Sequence, residues 1–363
     1  MNMVRMVAIL TAALFCTSAF ARAPMKPVDG KATVATKSLY KKLAAYGGKR
    51  QILFGGHSPN VMGCGFDALK DGAGVDRCDI KSSVGDYPAV FSYDFTNGFS
   101  ALLPFVKRAA SLGGIVTICY HIDSPYGDSR WGHITDPSRR DVSKVLPGGE
   151  KHGYLLAQLD SIASFAQRAI HNGERIPIIF RPWHEHTGDW FWWGTEGCTG
   201  EEFVALWRFT VGYLRDVKGV HNFLYAYSPS RPSDFGGYAT RNPGAEWFDI
   251  AGFDCYGTAD FRDKIVANAK ETVGYAKKHG KVAAITEFGY RKGLNNCTDP
   301  EWFTSSFLLP LSDSDLLEGL SYAATWHNVS RSSWWAPLPG GLQHADFVRF
   351  SRDKRVVFLK GSK

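Results

Sequence analysis

The chain has 363 residues, of which 44% are hydrophobic and 21% charged, with a net charge of +7. Its basic residues are scattered rather than clustered, which excludes the charged stripe of a nucleic-acid binder. Beyond the N-terminus no run approaches the roughly 18 apolar residues of a spanning helix, and no linker, repeat or low-complexity stretch marks a second domain.

Residues 1–23 read as a secretory signal peptide. Arg5 supplies a positive start, Val7 to Phe15 an apolar stretch too short to cross a bilayer, and Ala21-Arg22-Ala23 a small-residue cleavage site. Cys16 lies in a poor lipidation context, since Ala13 stands where leucine is wanted and Phe15 precedes the thiol. Residues 24–363 are expected to form one domain, secreted or periplasmic, off the membrane after cleavage and working as a monomer.

Strand-like and helical patterns then alternate to the end of the chain. The strands are expected at Ile52–His57, Ala89–Asp94, Ile115–His121, Ile176–Trp183, Asn222–Ser228, Asp249–Tyr256, Val282–Phe288 and Tyr322–His327. Several are apolar throughout instead of alternating, as parallel strands buried on both faces are. Amphipathic stretches lie at Phe99–Leu112, Tyr154–His171, Glu201–Asp216, Arg262–His279 and Glu301–Leu311. Thr199 and Glu202 have the spacing of a capping box, and Gly280 is placed to end the fourth of these helices. Eight strands alternating with helices predict a single-domain α/β fold, the (β/α)8 TIM barrel. Of the six cysteines past residue 23, Cys119 and Cys255 fall inside strands and read as buried thiols. An exported chain permits disulfides, and Cys64 with Cys78, or Cys198 with Cys297, are the candidate bridges, a pairing that spacing cannot fix.

The barrel places a row of polar residues on one rim: His57, Asp94, His121, His184, Glu185, Ser228, Asp254, Glu287, Trp326 and His327 all end strands. In this fold that rim carries the active site. Glu185 ends the fourth strand and is followed by Trp190, Phe191, Trp192 and Trp193; Glu287 ends the seventh. Indole planes offer stacking surfaces to the apolar C–H faces of pyranose rings, and two carboxyls across a barrel mouth are the minimum for glycoside hydrolysis. The tryptophan cluster is expected to form one wall of the cleft.

These residues carry a resemblance. Arg181-Pro182-Trp183-His184-Glu185, the run Trp190-Phe191-Trp192-Trp193-Gly194 and Thr286-Glu287-Phe288-Gly289 are similar to glycoside hydrolase family 26, dominated by β-1,4-mannanases. Gly55-Gly56-His57, Gly85-Asp86-Tyr87-Pro88-Ala89, Trp326-His327 and Trp334-Trp335-Ala336-Pro337 extend it over nearly the whole of residues 24–363. The resemblance implies a catalytic domain cleaving mannan, glucomannan or galactomannan, with Glu185 as acid/base and Glu287 as nucleophile. It further implies that His121 and Trp131 contact the sugar on the donor side, that His184 shapes the site and that Trp190 shapes the leaving-group side. Tyr256 would hydrogen-bond the nucleophile, Trp326 lie under the sugar at the scissile bond and Asp254 serve as a cleft carboxylate near the acid/base. His327 stands where the family often has arginine and Tyr120 where tryptophan is frequent, which bears on subsite preference; β-1,3-xylan and mixed-linkage β-glucan are substrates of the same glutamate pair within the family.

For the pair to work by retention, Glu185 must start protonated, its pKa raised by burial, and Glu287 ionised, with the carboxyls about 5–5.5 Å apart. No cofactor and no metal are called for. A metal-dependent barrel hydrolase is the competing reading, built on the strand-end histidines with His184 and His186 as a ligand pair. A spacing of two turns those side chains to opposite faces, and no HExxH helix is present. A binding protein that had lost catalysis would have replaced Glu185 or Glu287, and both are there. His186 and His327 are read as hydrogen-bonded structural side chains.

Overall fold

The computed structural model describes residues 25–72, 74–127, 129–131 and 140–363. The expected signal peptide, with Cys16, lies outside them. Among the described residues no helix is long and apolar enough to cross a membrane.

Eight parallel strands close into a barrel: β1 Ile52–His57, β2 Val90–Asp94, β3 Ile115–Cys119, β4 Ile178–Arg181, β5 Phe223–Tyr227, β6 Ile250–Gly257, β7 Val282–Tyr290 and β8 Leu320–Thr325. Each pairs with its neighbour in chain order, and β8 returns to β1 with Leu53 opposite Tyr322 and Gly56 opposite Thr325. All eight expected strands are present, most trimmed by one or two residues at their ends. They read as apolar runs because one side of each strand packs into the barrel and the other meets helices.

The helices include α1 Val34–Gly47, α2 Phe99–Ser111, α3 His152–Arg168, α4 Gly200–Gly212, α5 Phe261–His279 and α6 His344–Arg352. The Thr199 capping box opens α4 with both reciprocal hydrogen bonds, and α5 ends at Gly280 in the left-handed conformation that glycine adopts freely. The helix expected over Glu301–Leu311 forms with a wide turn at Phe303–Leu308 before a regular segment at Leu309–Asp313. Pro310 is the second residue of that segment and has no N–H to give back to the preceding turn.

Helix α1 answers to no expected element. Thr33 caps it by accepting from the Thr36 amide, and it turns Leu39, Tyr40, Leu43 and Tyr46 onto the N-terminal ends of the strands. There they meet Leu53, Val90, Ile115, Ile179, Leu224 and Ile250, so α1 seals the floor of the barrel. Burying each such side chain contributes about 1.5–3 kcal/mol, so the sealed floor anchors the strands while the opposite rim remains open for chemistry.

Strand β7 carries an irregularity that matters for the site. Opposite β6, Phe253 faces Ile285 but Asp254 faces Glu287, so Thr286 is an extra residue, a bulge. The Thr286 hydroxyl hydrogen-bonds the buried Asp254 at 2.6 Å inside the barrel, while the next residue, Glu287, turns into the cleft.

The expected disulfides are not formed: Cys64, Cys78, Cys198 and Cys297 are free, as are Cys119 and Cys255. The thiols face other partners. Cys64 Sγ donates to the Ser330 carbonyl at 3.0 Å, Cys198 Sγ lies 2.9 Å from the Arg241 guanidinium, and Cys297 Sγ is 3.9 Å from the Asp299 carbonyl. Cys119 and Cys255 are buried thiols, as their positions in apolar strands imply.

Candidate active site

The C-terminal rim of the barrel opens into a cleft of about 650 Å³ lined by Glu185, Glu287, His121, Trp131, Tyr256 and Trp326. Those are six of the nine expected site residues. The other three stand behind them: Trp190 holds Glu185, Asp254 holds an arginine bound to Glu287, and His184 holds His121.

Glu185 sits on the loop leaving β4. Its backbone is in the left-handed region, φ 54°, as is Trp183 at φ 50°, a conformation that costs a β-carbon-bearing residue about 1–3 kcal/mol. The loop is pinned in that shape from three sides. The Glu185 amide donates to the Ser228 carbonyl beyond β5 at 2.8 Å, the Trp183 indole to Thr210 on α4 at 3.0 Å, and the Trp193 indole to the His184 carbonyl at 2.8 Å. At the tip the Trp190 indole donates to Glu185 Oε2 at 2.8 Å. A β-carbon on Gly188 would collide with the Trp190 ring, so glycine is what lets the indole reach the carboxyl.

Trp192 and Trp193 do not line the cleft. Both are fully buried, pack perpendicular to one another and each against Trp183, and brace the loop from within. The wall belongs to Phe191 and Trp131, stacked at 5.0 Å and 18°, with Trp131 42% exposed. Trp326 forms the other surface, lying on the His57 ring at 4.2 Å and 19°.

Glu287 is held by two side chains. The Tyr256 hydroxyl donates to Oε2 at 2.9 Å, and the Arg181 guanidinium bonds Oε1. Arg181, the last residue of β4, is 1% exposed and also donates to Asp254 Oδ2 at 2.6 Å. Asp254 is fully buried and does not reach the cleft, against the expectation of a cleft carboxylate; it accepts from Arg181, Ser228 and Thr286. Burial pushes its pKa up to about 7, against the opposing pull of Arg181.

His184 is buried and its Nε2 meets His121 Nε2 at 3.0 Å. The other nitrogen of His121 faces Asp94 at 2.6 Å, so a carboxylate and two imidazoles run in series from the cleft lining, at Asp94 and His121, to the buried His184. His186 turns away from His184 and stacks on Phe203 and Tyr227 at 4.1 and 4.8 Å, which leaves no ligand pair. Neither of its ring nitrogens has a partner among the described residues, so stacking holds it rather than hydrogen bonding. His327 lines the cleft against Trp326, its Nδ1 also without a partner, and burial lowers its pKa to about 4.

The electrostatics separate the two glutamates. Burial raises the Glu185 pKa well above the ordinary carboxyl range, and the charges of Asp254 and Glu287 raise it further, while Arg181 and the Trp190 hydrogen bond pull the other way. Protonation of Glu185 is thus favoured by its surroundings, whereas Glu287 has a guanidinium on one oxygen. The Trp190 indole stabilises the ionised form of Glu185, so its removal must raise that pKa. Trp190→Phe is expected to shift the alkaline limb of the kcat/KM profile to higher pH; a limb that stays in place or moves down disproves the assignment of that limb to Glu185.

Arg181, Phe191, His57 and Asp94 had no assigned role in the sequence reading. Arg181 had a readable signal, a charge that closes the otherwise apolar run Ile178-Ile179-Phe180.

A rim cleft between aromatic walls with one carboxyl raised by burial and one paired with a guanidinium, on a closed (β/α)8 barrel, is the arrangement of a barrel glycosidase. The chain belongs to glycosyl hydrolase family 26, whose model matches residues 28–302. It is 32% identical to a mannan endo-1,4-beta-mannosidase of Bifidobacterium adolescentis over 89% of this chain, and spans only 34% of that relative's length. A mannan endo-1,4-beta-mannosidase of Bacillus subtilis is 28% identical, with 73% of this chain and 74% of the relative covered. Among solved structures, the catalytic domain of a Bacillus sp. JAMB-750 family 26 endo-beta-1,4-mannanase superposes with a TM-score of 0.84 at 32% identity, covering 93% of this chain and 94% of that one. A Bacteroides ovatus family 26 beta-mannanase gives 0.80 at 33% identity, with 90% and 96% covered.

Proposed function

We propose that the chain is a β-1,4-mannanase, exported by way of residues 1–23, whose residues 24–363 hydrolyse mannan, glucomannan or galactomannan with retained anomeric configuration. The observation that carries the mechanism is the opposed state of the two carboxyls, Glu185 raised by burial and Glu287 fixed by Arg181 and Tyr256. The names of the relatives and neighbours above support the substrate.

In this reading the sugar at the scissile bond lies on Trp326. Glu185 gives its proton to the glycosidic oxygen as Glu287 attacks the anomeric carbon from the other face, and the leaving chain departs with the proton. A covalent glycosyl–enzyme ester remains. Glu185, now ionised, takes a proton from water, whose oxygen displaces Glu287 and restores both groups. Tyr256 and Arg181 keep the nucleophile's oxygens aimed during the two displacements.

Hydrolysis measured in parallel on glucomannan, galactomannan, β-1,3-xylan and lichenan, in excess chelator, tests the proposal. Cleavage of the mannans is expected; activity confined to xylan or lichenan rejects the substrate, and loss of activity in chelator rejects the metal-free mechanism. Trp326→Ala is expected to cut kcat/KM on mannan by about 10²-fold, the order of a misplaced substrate, while Tm falls by only a few degrees. A variant that simply unfolds would make Trp326 a core residue.

A further inference from the structure

Cys119 takes no part in the chemistry above, yet it ends β3 at the base of the cleft, and its Sγ and one ring nitrogen from each of His121 and His184 all lie within 4.8 Å of one another. We propose that these three side chains form an inhibitory site for a thiophilic divalent cation of the zinc type, which closes the cleft by taking two of its histidines. The donor chemistry selects the ion. One thiolate with two imidazoles is a set for zinc, whereas calcium and magnesium require oxygen ligands.

The geometry is close to what such an ion needs. Asp94 faces His121 Nδ1 at 2.6 Å, which leaves Nε2 as the free lone pair and orients the ring, the arrangement in which carboxylates support metal-bound histidines. His121 Nε2 already meets His184 Nε2 at 3.0 Å. Zinc–nitrogen bonds of about 2.0–2.1 Å in a tetrahedron set the two nitrogens about 3.3 Å apart, so the rings part by a few tenths of an ångström. Cys119 Sγ lies 3.9 Å from His121 Nδ1, on the Asp94 side of the ring, and turns toward Nε2 to complete the set. In the resting hydrogen bond His184 Nε2 donates to that lone pair; His184 is 1% exposed and its Nδ1 has no partner among the described residues, so Nδ1 can take up the proton that Nε2 gives up when it ligates. The surroundings favour a cation, since three carboxylates, Asp94, Asp254 and Glu287, are set against the guanidiniums of Arg181 and Arg130.

On binding, the Cys119 S–H bond breaks, its proton passes to solvent and the sulfur lone pair forms the metal–sulfur bond; no electron is transferred. Water completes the tetrahedron on the open side. Because His121 lines the sugar cleft, the ion excludes substrate. Loss of activity rests on the hydrolase reading, but binding itself does not.

The test uses the intact protein with Zn2+ by calorimetry and Co2+ by absorption. One equivalent of Zn2+ should bind and abolish mannan hydrolysis, with EDTA restoring it, and Co2+ should give a near-ultraviolet thiolate-to-metal charge-transfer band. Cys119→Ala should keep basal activity, lose the band and bind Zn2+ more than about tenfold more weakly; Cys64→Ala, at a thiol outside the site that faces the Ser330 carbonyl, should keep all three properties. A wild-type protein without the band, or a Cys119→Ala variant that binds as tightly, overturns the proposal. These outcomes stand even if the protein proves inactive on mannan.

Discussion

Alanine at Glu287 is expected to abolish turnover on every substrate, by about 10⁵-fold or more, the scale on which loss of a nucleophile acts. No covalent intermediate forms without it, whatever the leaving group. Alanine at Glu185 should fail differently. With a dinitrophenyl mannoside the leaving group needs no proton, so glycosylation of Glu287 survives while deglycosylation loses its base and slows by about 10²–10⁴-fold. The glycosyl–enzyme should accumulate to a mass detectable on the intact protein. Azide, needing no deprotonation, should enter the space vacated beside Trp190 and restore turnover to a β-glycosyl azide, the retained product. Inverted azide product from Glu185→Ala, or retained product from Glu287→Ala, would mean the two roles are exchanged.

Arg181→Met is expected to be the most damaging change outside the glutamates. The guanidinium is buried between Asp254 and Glu287, and removing one partner of a buried ion pair costs about 3–5 kcal/mol because charge is left uncompensated. Asp254, already at about 7, should respond by taking up a proton. The double variant Arg181→Met/Asp254→Asn supplies a neutral side chain without that proton uptake and should recover part of the lost Tm, but not kcat, because Glu287 still lacks its holder. Recovery of kcat together with Tm would show that Arg181 acts on stability alone.

The barrel was legible because its strands are sealed on both faces, which leaves long apolar words such as Val282-Ala283-Ala284-Ile285 that no surface element would carry. The rim chemistry was legible because polar residues interrupt those words at their C-terminal ends. Helix α1 escaped notice although Leu39, Tyr40, Leu43 and Tyr46 have helical spacing; its apolar face meets the barrel floor rather than lying between two strands in the repeating pattern. Trp192 and Trp193 were misplaced for a geometric reason. Adjacent residues point apart in a strand, but in the turns after Glu185 both rings turn inward at 85° to each other against Trp183. Asp254 ends its strand facing Arg181 instead of solvent, a distinction that lies in the pairing of strands and not in local composition. Cysteine spacing could permit a bridge without saying that the thiols meet, and they do not.

The extra residue at Thr286 sets a condition on anyone who recombines barrels of this kind. Strand β7 places two consecutive side chains, Thr286 and Glu287, on the working side, which a regular strand cannot do. A chimera that borrows β7 from a host without the bulge lacks that extra residue and would turn the glutamate toward the helical shell. Grafts of this active site should therefore be cut at Val282, upstream of the irregularity, so that the bulge travels with its glutamate.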